Sequence, residues 1–161
     1  MNRPVTLRHQ PNAEYFTERP RKDRASPPSG NDRLTNGRSS IDGMGCFSCV
    51  QLPARKKFGE FVGEKISARE ARARVARGGR ISICEIDHRW SIDASASGSP
   101  TAFINHSCTP NAYARIAQGR IWFYALRRIE TGEEITLDYR PSQHPERRCR
   151  CGSRQCRGAM G

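Results

Sequence analysis

The sequence lacks any long hydrophobic run. Apolar residues make up 35% of the 161 residues, and nowhere do they form the run of about 20 that spans a bilayer. The stretch from Met1 to Gln10 also lacks the apolar segment that follows the positive start of a secretory signal. We therefore expect an intracellular, soluble protein with no membrane partner, located in the cytoplasm or, in a eukaryote, in the nucleus or on chromatin.

Acidic residues are few relative to basic ones. The chain has 16 Asp and Glu against 28 Lys and Arg, which gives a formal net charge of +12. Arginine supplies most of this charge, because the only lysines are Lys22, Lys56, Lys57 and Lys65. Such an excess favours association with nucleic acid or another anionic surface, although a basic face is more often simply solvated. Nucleic acid is therefore one candidate partner.

The cysteines do not form the pattern of a disulfide framework. They number seven, which is odd, and three of them lie close together near the C-terminus at Cys149, Cys151 and Cys156. Three thiolates in a polar segment favour a structural Zn²⁺ site, which needs four ligands. The fourth ligand must come from elsewhere in the chain, and the nearest candidates in kind are Cys108 and His106.

The chain divides by composition into three parts. Residues 1–40 are rich in Arg, Pro, Ser and Gly and poor in periodic apolar residues, which predicts a disordered basic arm. Residues 41–140 alternate short apolar runs with glycine-bearing turns, which is typical of small strands. Residues 141–161 form a polar tail that carries the cysteine cluster. We expect one folded domain followed by a zinc-binding tail.

Local signals predict a mainly β, α+β fold with one helix. Ser67 and Glu70 form a capping box, and Gly78 and Gly79 end the same segment. A turn at residues 118–119 predicts a hairpin. The expected strands cover residues 46–52, 58–62, 80–86, 89–92, 112–116, 120–126 and 134–139.

Several motifs resemble one known family. They are NHSCTPN at 105–111, GEEITLDY at 132–139 and CRCGSRQC at 149–156, with DGMGCF at 42–47 and GEFVGE at 59–64 upstream. In this order and spacing they resemble the SET domain of protein lysine methyltransferases with its post-SET zinc motif. Each short glycine block alone is a weak signal, but the three longer blocks together are specific.

The resemblance implies both a fold and an activity. The fold is a SET-type arrangement of small antiparallel sheets, with a knot-like crossing between the 105–106 segment and the strand that ends at Tyr139. The activity is methyl transfer from S-adenosylmethionine to the side-chain amine of a lysine in a protein substrate. The zinc ligands implied are Cys108, Cys149, Cys151 and Cys156.

The resemblance also assigns roles to single residues. Tyr139 is implied as the catalytic tyrosine, with its hydroxyl near the transferred methyl group. Tyr113 has two readings that stay open, one in the lysine channel and one packed within the hairpin. Contacts to S-adenosylmethionine are implied for Asp42, Gly43, Met44, Gly45, Ser82, Asn105 and His106.

Some positions depart from the family pattern. Ser82 stands where many members have an active-site tyrosine, Ala102 replaces an arginine, and Phe61 replaces a tyrosine. Leu137 occupies a position where Phe or Tyr influences how many methyl groups are added, so the number of methyl groups stays open, as does the substrate. These departures support an alternative hypothesis, in which the chain is a non-catalytic, zinc-containing basic module that binds nucleic acid or protein.

Overall fold

The computed structural model describes residues 5–7, 30–139 and 148–160, and it describes residues 5–7 by their backbone alone. These parts of the chain form three small sheets and one α-helix, as the sequence predicts. No helix within the described ranges has the length and apolar character needed to cross a membrane.

The elements follow one another as short strands with few helical turns. Two 3₁₀ turns lie at Gly30–Arg33 and Pro100–Phe103, and the α-helix, α1, covers Ala68–Arg77. The strands are β1 (Val5–Leu7), β2 (Leu34–Arg38), β3 (Met44–Ser48), β4 (Lys57–Glu60), β5 (Glu64–Ser67), β6 (Ser82–Glu85), β7 (Trp90–Asp93), β8 (Asn105–His106), β9 (Ala112–Ala117), β10 (Arg120–Ala125) and β11 (Glu134–Leu137).

The first sheet has the order β1-β6-β7-β5, and α1 follows its edge strand β5 directly. The helix begins where the capping box predicts, because the Ser67 Oγ accepts a hydrogen bond of 3.1 Å from the Glu70 N–H. It ends at Gly78, whose φ of 78° is a conformation that glycine adopts without steric strain. Strand β1 is the exception in direction, since it pairs parallel to β6.

The second sheet, β4-β10-β9, contains the expected hairpin. Strands β9 and β10 pair in register from Arg120 opposite Ala117 to Ala125 opposite Ala112. Gln118 and Gly119 both have positive φ, at 53° and 71°, which is the geometry of the tight turns that join antiparallel strands. The ladder between β10 and β4 shifts register at Phe123 and Tyr124.

The third sheet, β2-β3-β11-β8, contains the crossing that shapes the site. Strand β11 runs antiparallel to β3 on one side, where Ile135 lies opposite Cys46. On its other side it runs parallel to β8, where Leu137 lies opposite His106. The last strand of the domain is therefore inserted between two segments that precede it in the chain.

The core lies between the sheets and is built from aliphatic and phenylalanine side chains. Phe123 is 1% exposed, and its ring lies 6.2 Å from that of Phe58, stacked, and 6.2 Å from that of Phe61, edge-on. Ile129 and Ile135 are fully buried. This core supports the strands from which the functional side chains project.

Some described structure lies before residue 41, where the sequence places the start of the domain. The turn at Gly30–Arg33 and strand β2 precede it, and Leu34 is buried at 6% exposure. Sequence patterns do not indicate β2, because most of its residues are polar. It is stabilised by backbone pairing with β3 rather than by an apolar pattern. Most of the expected arm, residues 1–4 and 8–29, lies outside the described residues, as do residues 140–147.

Candidate functional site

A cleft of about 380 Å³ lies beside the β8–β11 crossing. Its volume falls within the range of small-molecule sites. Aromatic and aliphatic side chains form one wall, and the segment before β3 forms another. The expected site residues that line it are Asp42, Gly43, Met44, Ser82, Asn105, His106 and Tyr139.

The Asn105 side chain ties the loop before β3 to β11. Its Nδ2 lies 3.2 Å from the carbonyl oxygen of Asp42, 3.0 Å from that of Met44 and 2.9 Å from Oε1 of Glu134. The same Glu134 oxygen accepts a hydrogen bond of 2.7 Å from the Ser39 hydroxyl. The amide thus fixes the backbone on both sides of Gly43, which has a φ of 48°.

Gly45 does not line the cleft. A Cβ built on Gly45 would overlap the Glu134 carboxylate and approach the Phe47 ring to 3.1 Å. Glycine is therefore needed here so that Glu134 can reach Asn105. Gly45 therefore contributes to the site by leaving room for Glu134, and not by lining the cleft.

His106 and Tyr139 are joined across the crossing. The backbone N–H of Tyr139 donates a hydrogen bond of 3.1 Å to Nδ1 of His106, which is 1% exposed. Nδ1 thus acts as an acceptor, and the other ring nitrogen, Nε2, lies 3.5 Å from the Cys108 Sγ. The Tyr139 hydroxyl donates to the carbonyl oxygen of Ile104.

The positions that depart from the family pattern have defined contacts. The Ser82 hydroxyl donates to the carbonyl oxygen of Ala102 at 2.9 Å, so its proton is not directed into the cleft. The Arg80 guanidinium lies 3.9 Å from the centre of the Phe103 ring and donates to the same carbonyl at 3.3 Å. Phe61 is buried at 3% exposure and lines the cleft.

Tyr113 packs within the β9–β10 hairpin, which is one of the two positions that the sequence left open. Its ring stacks on that of Tyr124 across the hairpin, with the centroids 5.3 Å apart. It is not among the described residues that line the cleft. Tyr113 therefore packs on the face of the hairpin sheet that points away from the cleft.

Four cysteines meet in one cluster beside the crossing. The Sγ atoms of Cys108, Cys149, Cys151 and Cys156 all lie within 4.8 Å of one another, and those of Cys108 and Cys149 are 3.6 Å apart. Four thiolates at about 2.3 Å from one ion require sulfur–sulfur distances of just under 4 Å. The cluster therefore fits a tetrahedral Zn²⁺ site, and its fourth member is Cys108 rather than His106.

Burial opposes the ionisation of two thiols in this cluster, Cys108 and Cys149. Burial, together with the neighbouring thiols, raises the pKa of Cys149 to about 12. Burial also opposes ionisation of Cys151, but hydrogen bonds from the backbone at Cys108 and Ser153 lower its pKa to about 6. One thiolate is thus favoured and the next is disfavoured, which is the electrostatic situation that a bound divalent cation relieves.

The cysteine segment also reaches the cleft. Arg157 forms a bidentate ion pair with Asp138, at 2.8 and 3.2 Å, directly before Tyr139. The segment folds back on itself through a bridge between Arg148 and Ala159, and Met160 lines the cleft. The segment at residues 148–160 therefore contributes to both the metal cluster and the cleft.

Sequence reasoning missed several residues that shape the site. Glu134 lies inside the GEE motif, so a signal was present, and its role as the common acceptor for Ser39 and Asn105 required the structure. Arg80 and Met160 reach the cleft from positions that no motif marks. Their placement depends on tertiary packing alone.

This combination of crossing strands, cleft and cysteine cluster defines a SET domain, and comparison with known proteins agrees. The SET domain family model matches residues 43–140, and the chain belongs to this family.

Its relatives include human "Histone-lysine N-methyltransferase SETD1A", 36% identical over 138 residues, which cover 80% of this chain and 8% of the relative. The Emericella nidulans "Histone-lysine N-methyltransferase, H3 lysine-4 specific" is 38% identical over 136 residues, covering 76% of this chain and 11% of the relative. The Drosophila virilis "Histone-lysine N-methyltransferase trithorax" is 36% identical over 129 residues, covering 74% of this chain and 3% of the relative. The chain thus spans only a small part of the length of these curated relatives.

Proposed function

We propose that this chain transfers a methyl group from S-adenosylmethionine to the side-chain amine of a lysine in a protein substrate. The observation that carries the proposal is the placement of Tyr139, whose hydroxyl lies at the β8–β11 crossing on the wall of the cleft. The membership of the chain in the SET domain family supports the same reaction.

The residues around Gly43 fit the methyl donor. The Asp42–Met44 backbone is held in place by Asn105, and glycine at position 43 leaves open space above it, so a ligand can approach the main chain closely. His106 and Ser82 complete this part of the wall. S-adenosylmethionine supplies a methyl group on a positively charged sulfur. Gly45 contributes through Glu134.

The apolar wall of the cleft suits a neutral amine. A free lysine has a pKa of about 10.4, so it must lose its proton before it can act as a nucleophile. Phe61, Phe123 and Leu137 are each at most 3% exposed and line the cleft. A lysine side chain placed among them would be desolvated, which lowers its pKa and favours the neutral form.

Tyr139 is the proposed catalytic residue. Its hydroxyl donates its proton to the Ile104 carbonyl, and a phenolic oxygen that donates in this way can also accept through its lone pairs. An oxygen in this state attracts the polarised hydrogens of a methyl group on a cationic sulfur. The tyrosine would orient the group that is transferred without acting as a strong base.

The four cysteines would hold Zn²⁺ as a closed structural site. The ion would supply the positive charge that lets four crowded thiolates coexist. Its ligand Cys108 follows His106 in the chain, and its ligand Cys156 precedes Arg157. Loss of the metal would therefore loosen the cleft wall at both places.

The substrate class follows from the relatives, whose printed names describe histone-lysine methyltransferases. We propose a lysine-bearing protein, with a histone tail as the first candidate, and a nuclear or chromatin location if the host is a eukaryote. The net charge of +12 argues against strong electrostatic recruitment of a basic tail. Shape and backbone contacts would have to supply most of the affinity.

A non-catalytic module remains the second candidate. Its specific support is that Ser82 and Ala102 leave the cleft with fewer polar groups, since the Ser82 proton is bound to a carbonyl. A protein of this kind would keep the zinc site and the basic surface without binding the methyl donor.

Calorimetry with S-adenosylmethionine separates the two candidates without any substrate. We expect binding by the zinc-loaded chain, and loss of binding after chelation or in Asn105→Ala, which frees the loop around Gly43. Arg69→Ala, on the exposed surface of α1, is a control that should bind like the unaltered protein. Absence of binding by a folded, zinc-loaded chain would contradict the enzymatic proposal and favour the module.

A further inference from the structure

The outer face of the β4-β10-β9 sheet carries aromatic and basic side chains. Side chains alternate between the two faces of a strand, so while Phe123 points into the core, Trp122 and Tyr124 point outward. The register places Tyr113 opposite Tyr124 and Arg115 opposite Trp122. On the other side, β4 brings Lys57 opposite Tyr124.

The rings and cations on this outer face are in direct contact. Lys57 Nζ lies 4.2 Å from the centre of the Trp122 ring, and the Arg120 guanidinium lies 4.1 Å from it. Tyr113 and Tyr124 stack 5.3 Å apart. All three rings remain partly exposed, while Lys57 and Arg115 are exposed. The result is a row of aromatic surface with positive charge along it.

Within the described residues, two of the three cations on this face, Lys57 and Arg115, have no ion-pair partner. Elsewhere in the described ranges, carboxylates pair with arginines, as in Glu70 with Arg77 and Glu133 with Arg127. Arg120 has such a partner on this face, Glu60, at 2.7 and 2.5 Å. No acidic residue of the described chain forms an ion pair with Lys57 or Arg115.

We propose that the outer face of the β4-β10-β9 sheet binds single-stranded nucleic acid. Unpaired bases expose flat rings that stack on aromatic side chains, and the adjacent phosphates pair with lysine and arginine. A flat sheet with aromatic residues at its centre and cations at its edge offers both contacts at once.

A single strand fits this face better than the other anionic partners. A base-paired duplex keeps its ring faces stacked inside the helix, so it would use the cations but leave the three rings without a function. An acidic polypeptide would likewise engage only the charges. The contacts between cations and rings therefore favour a ligand that combines phosphate with exposed bases.

The proposed surface is separate from the cleft. Phe123 lines the cleft from the inner face of β10, and Trp122, its neighbour in the strand, lies on the outer face. Nucleic-acid binding therefore does not depend on the methyl-transfer proposal, and the two fail independently. A chain that binds at both places would hold its protein substrate near a nucleic acid.

Fluorescence anisotropy with labelled oligouridine and oligo(dT) of about 12 nucleotides tests the surface. The zinc-loaded chain should bind both, with affinity that falls as salt rises, and Trp122→Ala should weaken binding about tenfold because one stacking platform is removed. The double variant Lys57→Glu/Arg115→Glu should also lower the salt slope by about 0.7 for each phosphate that no longer pairs with a cation. Circular dichroism checks that each variant is folded.

The matched control is Arg69→Glu/Arg72→Glu, which makes the same change of net charge on the exposed surface of α1. If this control weakens binding as much as the sheet variant, the association is general electrostatics and the proposal is overturned. Equal affinity for duplex DNA, or displacement by polyglutamate at the same charge concentration, would also overturn it. Tighter binding of oligouridine than of oligo(dT) would indicate RNA as the ligand, and the reverse would indicate DNA. Either result would support the proposed binding surface.

Discussion

Tyr139 shows what the sequence could and could not provide for a single residue. The GEEITLDY block singles out this tyrosine by resemblance, but nothing in the pattern indicates that its hydroxyl proton is donated to Ile104. Likewise, the sequence left Cys108 and His106 as alternatives for the fourth metal ligand until the resemblance was considered. The structure distinguishes them by distance, because the four sulfurs lie close together.

Removal of the Tyr139 hydroxyl should reduce turnover while leaving the cleft intact. In Tyr139→Phe we expect kcat to fall roughly a hundredfold, since this variant lacks one preorganised polar group beside the reacting methyl. Affinity for S-adenosylmethionine and zinc content should stay near those of the unaltered chain. The measurement is methylation of histone peptides followed by mass spectrometry.

Tyr124→Phe is the control for this change, because it removes a hydroxyl from the outer face of the β4-β10-β9 sheet. It should keep full activity. A Tyr139→Phe variant with unchanged kcat would remove Tyr139 from the mechanism while leaving its position in the wall unaffected.

Among the elements, those with local signals were predicted well. Helix α1 begins at the Ser67 capping box and ends at Gly78, and the β9–β10 hairpin turns at Gln118 and Gly119. Strand β2 was not expected, because its partner β3 lies beyond a turn and its own side chains are mostly polar. The crossing of β11 with β8 followed from the family resemblance, whereas the pairing of β11 with β3 was not predicted, since no local pattern reveals a pairing between distant segments.

The turn that leads into β11 depends on the charge of Glu133. Although burial opposes it, hydrogen bonds from Arg127, the Glu130 N–H and Asn111 hold the pKa of this carboxyl at about 2, below its ordinary 4.5. A lowered pKa in the folded state stabilises the protein above the unfolded pKa, and that contribution is lost as pH falls from about 4.5 to about 2.

Glu133→Gln should therefore lower the free energy of unfolding by about 2 kcal/mol at neutral pH and by much less near pH 2, where the unfolded carboxyl is neutral and about half of the native carboxyls are protonated. Urea denaturation at the two pH values measures the difference. Glu130→Gln, an exposed position in the same turn, serves as the control and should show little change at either pH. An equal loss at both pH values would mean that the hydrogen-bond geometry, and not the charge, stabilises the turn.

In the whole molecule, the cysteine segment joins the metal cluster to the cleft. Arg157 lies next to Cys156 and pairs with Asp138, which lies next to Tyr139, and Met160 lines the cleft beyond them. The sequence predicts a zinc-binding tail at residues 141–161, and the described part of it, residues 148–160, has these contacts. Neither the ion pair nor the position of Met160 follows from the cysteine spacing.

Loss of the ion pair between Arg157 and Asp138 should weaken binding of S-adenosylmethionine without affecting zinc binding. In Arg157→Gln we expect zinc content to stay at one ion per chain, because all four thiols remain. Affinity for S-adenosylmethionine should fall about tenfold, which corresponds to the roughly 1.4 kcal/mol of a charge-assisted bidentate contact. Calorimetry and a colorimetric zinc assay measure the two quantities.

Arg154→Gln lies in the same segment, is exposed, and provides the matched change of charge. It should leave both quantities unchanged. If Arg157→Gln lost zinc together with the methyl donor, the ion pair would act on the metal cluster itself.

Because β11 lies between β3 and β8 in the sheet, this sheet cannot be completed until β11 has been synthesised. A ribosome releases β3 and β8 well before it releases the strand that lies between them, and at 5–20 residues per second the wait after β3 is roughly 5 to 20 s. During that interval the nascent chain exposes unpaired strand edges, which are the usual sites of mistaken pairing with other chains. A ribosome that pauses between residues 48 and 134 would lengthen this interval, so codon choice and chaperone supply in that stretch should decide how much of the chain reaches its folded form.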